Sequence, residues 1–167
     1  PIIINSKQSE LFSSKLIFKM LKEHFTFDGL HKEHSPEYHI YMANYLSTLV
    51  ESKYIQDSDI LDLCRKVVEN SKWLCDPSGD LLAFGDSHNV QISKKANFIN
   101  EDNFKDMNLP KGLKVFREGG LVICSNQTTS YLAFNAQFHS RMHKQADDLN
   151  FYLYDKGIPI IVDSGTW

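Results

Sequence analysis

The sequence has no excess of basic residues, and this limits the partners that it can bind. Lys and Arg number 18 against 21 Asp and Glu, so the formal net charge is −3 and the isoelectric point is near 6.2. Nucleic-acid-binding proteins usually carry a basic surface that meets the phosphates, and this composition does not favour one. We therefore expect no nucleic-acid partner, and any acidic partner has to be bound by a local basic patch.

Long apolar runs and paired cysteines are also missing. No apolar run approaches the ~20 residues that a membrane helix needs, so we expect no membrane span. The cysteines are Cys64, Cys75 and Cys124, and their spacing is not that of a metal-binding pair. Because their number is odd, they cannot all be paired in disulfide bonds within the chain. We expect three buried thiols.

The composition is that of ordinary globular protein, with 167 residues, 42% hydrophobic and 23% charged. Such a chain can bury a substantial core, and disorder is not expected. Because it starts at Pro1 without an initiator Met and stops at Trp167 directly after a strand-like run, we interpret it as a piece of a longer protein.

The first half shows the periodicity of amphipathic helices. Apolar residues recur at spacings of three and four between Leu11 and Phe25. A second helix is predicted to begin at Ser35-Pro36-Glu37, because Ser caps free amides, Pro suits the first helical position and Glu favours the positive helix end. A third is predicted after Asp57-Ser58-Asp59, ending near residues 76–79.

After Asp80 the pattern changes to short strand-like runs, which indicate antiparallel strands. These runs lie at residues 120–124, 130–134, 148–154 and 158–163. The turn Asp155-Lys156-Gly157 favours a hairpin between the last two. We therefore predict a helical domain over residues 1–85 and an antiparallel β-sheet domain over residues 86–167.

The run at residues 148–154 predicts two different faces of one strand. One face carries Leu149, Phe151 and Leu153, and the other carries Asn150, Tyr152 and Tyr154. The pattern indicates a sheet that is exposed on one side or packed on a second layer.

Two segments concentrate the residues that can do chemistry. The segment from Asp28 to His39 places histidines, carboxylates and Tyr38 in a loop that leads into a helix, where active sites are often found. The alternative is a turn, a helix cap and a core aromatic. The segment from His139 to Asp148 is dense in ionisable side chains just before a hairpin, and the alternative there is a solvated connection.

Together these segments resemble the heparinase II/III-like polysaccharide lyases. The run from His143 to Phe151, followed by Gly157 and by residues 162–166, is similar to the central signature of that family. An upstream motif of the family, in the same order, is matched by Asp28-Gly29, Glu33, Ser35-Pro36 and Tyr38-His39. Phe84-Gly85-Asp86-Ser87 falls where these proteins leave their helical domain.

The resemblance implies an α+β multidomain fold, with the C-terminal part of an incomplete (α/α) toroid followed by an antiparallel β-sandwich. It also implies a bacterial enzyme, periplasmic or secreted, that binds an acidic polysaccharide of glycosaminoglycan or alginate-like type in a cleft. The reaction would be β-elimination, in which the proton at C5 of a uronic acid is removed, the 4-linked oxygen leaves and a C4–C5 double bond forms.

The residue roles follow from the resemblance. Tyr38 would be the base or acid at the glycosidic side, and His143 the partner that acts as a base or holds the substrate carboxylate. Substrate-binding candidates are Glu33, His139, Arg141 and Lys144. The residue that neutralises the substrate carboxylate lies upstream of the tyrosine in the family, so we expect it before Pro1 and expect the chain to lack a complete site.

One departure from the family signature concerns metal. Members with a zinc site have a histidine where this chain has Gln145, and that histidine binds zinc together with the aspartate at the position of Asp163. Gln is a poor zinc ligand, so we expect no cofactor and no tightly bound zinc, with Asp163 as a weak metal candidate. The alternative for Asp163 is a turn residue at a strand end.

Two other functions stay open. A uronate C5-epimerase of the same fold would remove the same proton and return it to the opposite face. A catalytically inactive polysaccharide-binding protein is the alternative from a different class, and Gln145 is its local indication.

Overall fold

The computed structural model describes residues 7–53, 55–99, 108–143 and 148–163. Three α-helices come first: α1 (Lys7–His24), α2 (Pro36–Glu51) and α3 (Ser58–Asn70). Short 3-10 turns follow at Ser71–Trp73 and Ile92–Lys94. The strands are β1 (Gly112–Phe116), β2 (Leu121–Ser125), β3 (Ser130–Asn135), β4 (Asn150–Asp155) and β5 (Ile158–Ile161). The predicted order of helices before strands is confirmed.

Side-chain caps define where α2 and α3 begin, as the sequence predicts. Ser35 caps α2 by accepting the amide of Tyr38, and Asp57 caps α3 by accepting the amides of Asp59 and Ile60. The predicted end of α3 near residues 76–79 is wrong, because the helix ends at Asn70.

A carboxylate-centred turn replaces the predicted last turns of α3. Asp76 Oδ1 accepts the amides of Ser78 and Asp80, at 2.8 and 3.2 Å, and so folds the chain into a tight loop. Cys75 then forms a bridge with Leu81, and the buried Leu74 packs against the sheet rather than on a helix face.

The five strands form one antiparallel sheet in the order β1-β2-β3-β4-β5. The predicted hairpin between β4 and β5 is confirmed, and both Lys156 and Gly157 have positive φ, at 52° and 85°. Such a turn matches the twist of the paired strands. Strand β1 was not predicted.

The two faces of the sheet differ in a way that the sequence pattern left open. The inner face carries Tyr131, Tyr152 and Tyr154, which are buried against Leu74 and Phe84 from the helical half. The other face is apolar and points outward, with exposed residues Leu113, Leu132, Phe134 and Phe151. In the described residues the sheet thus packs on one layer, through its tyrosines, whose hydroxyls can reach acceptors there.

The cores and the thiols complete the fold. One core cluster joins residues on both sides of position 85, from Leu30 to Tyr154, so the division into domains at this point stays a prediction.

Cys64 and Cys75 are buried as expected, but the expectation is wrong for Cys124, which is exposed on the outer face of the sheet. No described helix has the length and apolar character that crossing a membrane requires.

Candidate active site

The start of α2 is held by a pair of serines, and this fixes the position of Tyr38. The hydroxyls of Ser35 and Ser87 are hydrogen-bonded at 2.7 Å in a buried position. Ser35 Oγ accepts the amide of Tyr38 at 3.3 Å, and Ser87 Oγ accepts the amide of Glu37 at 3.1 Å. Two of the free amides of the first helical turn are thereby satisfied, so the backbone that carries Tyr38 is well supported.

His143 is positioned by the loop that contains Gly85 and Asp86. The amide of Asp86 donates to the carbonyl oxygen of His143 at 2.9 Å. Gly85 has φ of 57°, and a Cβ there would lie 2.6 Å from the same carbonyl oxygen, so only glycine fits. The loop therefore holds the backbone of His143 from one side.

Carboxylates face both ring nitrogens of His143. Its Nδ1 lies 3.2 Å from Asp86 Oδ2, and its Nε2 lies 3.6 Å from Glu33 Oε2. The side chains of His143 and Glu33 are 25% and 23% exposed, so the ring is oriented by charge yet reachable from solvent. Orientation of an imidazole by carboxylates is common where histidine transfers protons.

The rings of Tyr38 and His143 are stacked, with centroids 3.8 Å apart and planes at 25°. The sequence analysis expected these two residues to act as partners, and the structure brings them into direct contact. Their catalytic roles stay predictions. The Tyr38 hydroxyl makes no hydrogen bond within the described ranges, so it is free to meet a ligand.

A cavity of about 470 Å³ opens beside this pair. It is lined by Glu37, Tyr38, Tyr41, Asp86 and His88. A second cavity, of about 500 Å³, continues along α2 and shares Tyr41 with the first. Because they share Tyr41, the two cavities adjoin along α2 and are together called the groove below.

Glu37 anchors one wall of this groove. Its Oε2 is 3.0 Å from His88 Nδ1, and its Oε1 bonds Lys95. Burial alone would raise the pKa of Glu37, but the hydrogen bonds from Lys95 and His88 bring the pKa below its ordinary value. Glu37 therefore stays ionised and fixed, and it ties α2 to the chain around residues 88–95.

The other predicted substrate-binding residues are not all in this groove. Glu33 contacts His143, as described above. His139 is exposed, its Nε2 bonds the carbonyl oxygen of Glu118, and it lines a different cavity. Arg141 is exposed and makes no ion pair within the part of the chain that the structure describes, while Lys144 lies outside the described residues.

The zinc ligands that the family resemblance suggests do not fit the residues present. Asp163 Oδ2 already accepts a hydrogen bond from the side-chain amide of Asn150. Gln145 lies outside the described residues, and among those that are described Asp163 joins no group of three potential metal ligands. No step of a mechanism can be derived through zinc at this position.

Sequence reasoning missed two residues of the site. Asp86 and Ser87 were noted only as marking the end of the helical domain, although Asp86 binds the ring of His143 and Ser87 supports the start of α2. The motif Phe84-Gly85-Asp86-Ser87 was the signal, since a glycine beside an acidic residue in a loop is typical of a functional turn.

Comparisons with known proteins identify the fold and a matching family model. Residues 108–167 match the family model described as Heparinase II/III-like, C-terminal. The chain is similar to the crystal structure of a heparinase III, with a TM-score of 0.72, 20% identity and coverage of 90% of this chain and 30% of that one. A comparison with curated protein sequences found no match.

A second similar structure is a mutant of the heparan sulfate lyase HepC from Pedobacter heparinus. The TM-score is 0.75 at 18% identity, over 91% of this chain and 28% of that one. The chain thus spans less than a third of the length of these structures. The fold and the matched segment together bear out the resemblance recognised in the sequence: residues 108–167 match the Heparinase II/III-like, C-terminal family model, and the chain has the fold of the corresponding part of heparinase III.

Proposed function

We propose that the protein containing this chain is a lyase that cleaves an acidic, uronic-acid-containing polysaccharide by β-elimination. The observation that carries the proposal is the stacked pair of Tyr38 and His143, with its ring centroids 3.8 Å apart at the mouth of a groove. The heparinase fold adds support, because similar structures include a heparan sulfate lyase.

The reaction demands two proton transfers, one from C5 and one to the oxygen that leaves C4. A base removes the C5 proton, which is only weakly acidic even beside a carboxylate, and the 4-linked oxygen needs a proton as it leaves. Tyr38 and His143 supply one hydroxyl and one imidazole within contact of each other, so a single pair can serve both transfers. The developing enolate needs a positive or hydrogen-bonding group nearby, which an imidazole provides.

Asp86 and Glu33 act as positioning residues in this proposal. Both face ring nitrogens of His143, so they set the plane of the ring against Tyr38. A negative charge on Glu33 would repel a uronate, and we therefore place Glu33 behind His143 rather than against the substrate. Arg141 is exposed beside this loop and is proposed to attract the polyanion.

The groove along α2 is proposed to hold several sugar rings. Its two cavities meet at Tyr41, which is 55% exposed and whose hydroxyl bonds that of Tyr45 at 2.9 Å. Exposed tyrosines offer flat apolar faces with polar tips, a combination that suits a sugar ring. A periplasmic or secreted location remains a prediction from the resemblance.

The test is product absorbance in the ultraviolet, because elimination creates a C4–C5 double bond conjugated to the carboxylate. Full-length protein is assayed on a panel that includes heparan sulfate, other glycosaminoglycans and alginate. We expect Tyr38→Phe and His143→Gln each to lower kcat by at least ~100-fold, the range for loss of a general acid or base. Tyr154→Phe, the same change in a buried tyrosine on the inner face of the sheet, is the matched control.

Three results would contradict the lyase assignment. Incorporation of solvent deuterium at C5 without a new double bond would indicate the epimerase. Binding of polysaccharide without turnover would indicate an inactive binding protein. Equal activity of Tyr38→Phe and the Tyr154→Phe control would remove Tyr38 from the mechanism.

A further inference from the structure

Six of the seven histidines of the chain lie in one connected group around the loop between α1 and α2. The group consists of His24, His31, His34, His39, His139 and His143. The proposed lyase site uses only His143. The half of the group that faces α1 has no role in that site.

A tight reversal of the chain brings the end of α1 back onto the start of this loop. Phe25 and His31 form an antiparallel bridge, and the amide of Lys32 donates to the carbonyl oxygen of His24 at 2.8 Å. The rings of His24 and His31 consequently lie parallel, with planes at 6° and centroids 6.0 Å apart. Glu33 follows directly, and one potential ligand atom from each of the three side chains lies within 4.8 Å of the others.

His31 has an unpaired ring nitrogen inside the protein. The residue is 5% exposed, and its Nδ1 is buried with no hydrogen-bond partner among the described residues. An unsatisfied buried polar atom costs about 1–3 kcal/mol, so its presence calls for a partner. An unprotonated imidazole nitrogen offers the lone pair that a metal ligand needs.

The loop that carries His31 and Glu33 is anchored from the opposite side. Asn70 Nδ2 donates to the carbonyl oxygens of Asp28 and Gly29, at 2.8 and 3.2 Å. Asp28 Oδ2 accepts the amides of Glu118 and Gly119 in the β1–β2 turn. The backbone is therefore fixed before any ligand arrives, which lowers the cost of ordering the site.

We propose that His24, His31 and Glu33 bind a divalent first-row transition metal, Zn²⁺ foremost. Two imidazole nitrogens and one carboxylate oxygen are a common set for such ions, with the remaining position open. His24 and Glu33 are partly exposed, so the ion can enter and keep a solvent ligand. Tetrahedral ligands at ~2.1 Å from zinc sit ~3.4 Å apart, which small side-chain rotations from the present positions achieve.

This site is distinct from the one that the family resemblance suggests at Gln145 and Asp163. The sequence-based expectation of no tightly bound zinc rested on Gln145 and did not consider His24, which lies in a helix. Glu33 is shared, because its carboxylate also faces His143. Metal binding would draw the carboxylate of Glu33 toward His31. The proposed metal site does not depend on the lyase reaction.

The test is metal binding by the full-length protein after chelation. Zn²⁺ is titrated calorimetrically, and Co²⁺ is titrated with its visible absorption as a report on nitrogen and oxygen ligation. We expect His24→Gln and Glu33→Gln to remove one equivalent of metal, or to weaken its binding by more than ~10-fold, since even indirect partners of a metal contribute that much. The matched control is His88→Gln, the same change in the histidine that is not part of the group, whose side chain is 69% exposed and pairs with Glu37.

The His24→Gln variant is the decisive one, because His24 is partly exposed. A change at the buried His31 would risk unfolding the protein. Loss of one equivalent in His24→Gln, with the control unchanged, supports the site even if the protein holds another metal elsewhere. Equal stoichiometry and affinity in His24→Gln and the unmodified protein would overturn it. So would the absence of any binding at micromolar Zn²⁺.

Discussion

The hydroxyl of Tyr152 is expected to contribute more to stability than that of a comparable tyrosine in the core, because it donates a hydrogen bond to a buried carboxylate. Tyr152 is 5% exposed and donates to Asp76 Oδ2 at 2.6 Å. Asp76 is 1% exposed, and the hydrogen bonds that it accepts from Ser78 and Asp80 all reach its other oxygen, Oδ1. Tyr152→Phe would leave Oδ2 buried without this donor. A hydrogen bond to a charged group contributes roughly 1.5–3 kcal/mol, so we expect a loss of about 2–3 kcal/mol.

Tyr131→Phe is the matched control for this substitution. Tyr131 is also buried on the inner face of the sheet, and it donates to the carbonyl oxygen of Trp73 at the same distance, 2.6 Å. Its acceptor is neutral, so the expected loss is about 1 kcal/mol. Urea unfolding of both variants, followed by circular dichroism, measures the difference at unchanged m-value. The reasoning is refuted if Tyr152→Phe loses no more stability than Tyr131→Phe.

Three further predictions concern pH, backbone and capping. Burial lowers the pKa of His39 to about 4 in the folded protein, against ~6.5 in the unfolded chain. The stability that the neutral ring contributes is therefore complete above pH ~6.5, and about 3 kcal/mol of it is lost as the pH falls toward 4. Urea unfolding midpoints of His39→Gln should consequently depend less on pH over that range. Gly85→Ala should destabilise more than Gly157→Ala, since both have positive φ but only Gly85 meets a neighbouring carbonyl, and thermal unfolding that ranks them equally would contradict this. Ser35→Ala and Asp57→Ala should each cost about 1 kcal/mol as lost helix caps, but only Ser35→Ala should also reduce lyase turnover, because only that cap supports Tyr38.

Local chemistry explains which elements could be predicted from the sequence. Ser35 and Asp57 signal helix starts through their own side chains, and Lys156-Gly157 signals a hairpin through backbone preference. The end of α3 was not predictable in the same way, because several residues after Asn70 are apolar and compatible with a helix. Asp76, through hydrogen bonds to its own loop, folds the chain into a turn after them.

Tertiary contacts decided the rest. Periodicity gave no means to tell which face of β4 is inner, since Tyr152 and Tyr154 are buried only because Asp76 and the helical half lie beneath them. The contact of Tyr38 with His143 was expected from the family resemblance and not from spacing. The proximity of His24 to His31 was not predicted from the sequence. It depends on the bridge between Phe25 and His31, which no local sequence pattern indicates.

The outward apolar face of the sheet carries a thiol that can be labelled. Cys124 is exposed there, and it is paired in register with Leu113 and Leu132 on the neighbouring strands. Burial raises the pKa of Cys64 to about 11 and raises the pKa of Cys75 further, so both should resist alkylation at neutral pH. The labelling rate of Cys124 therefore measures, without any mutation, how much of this face is covered in the intact protein.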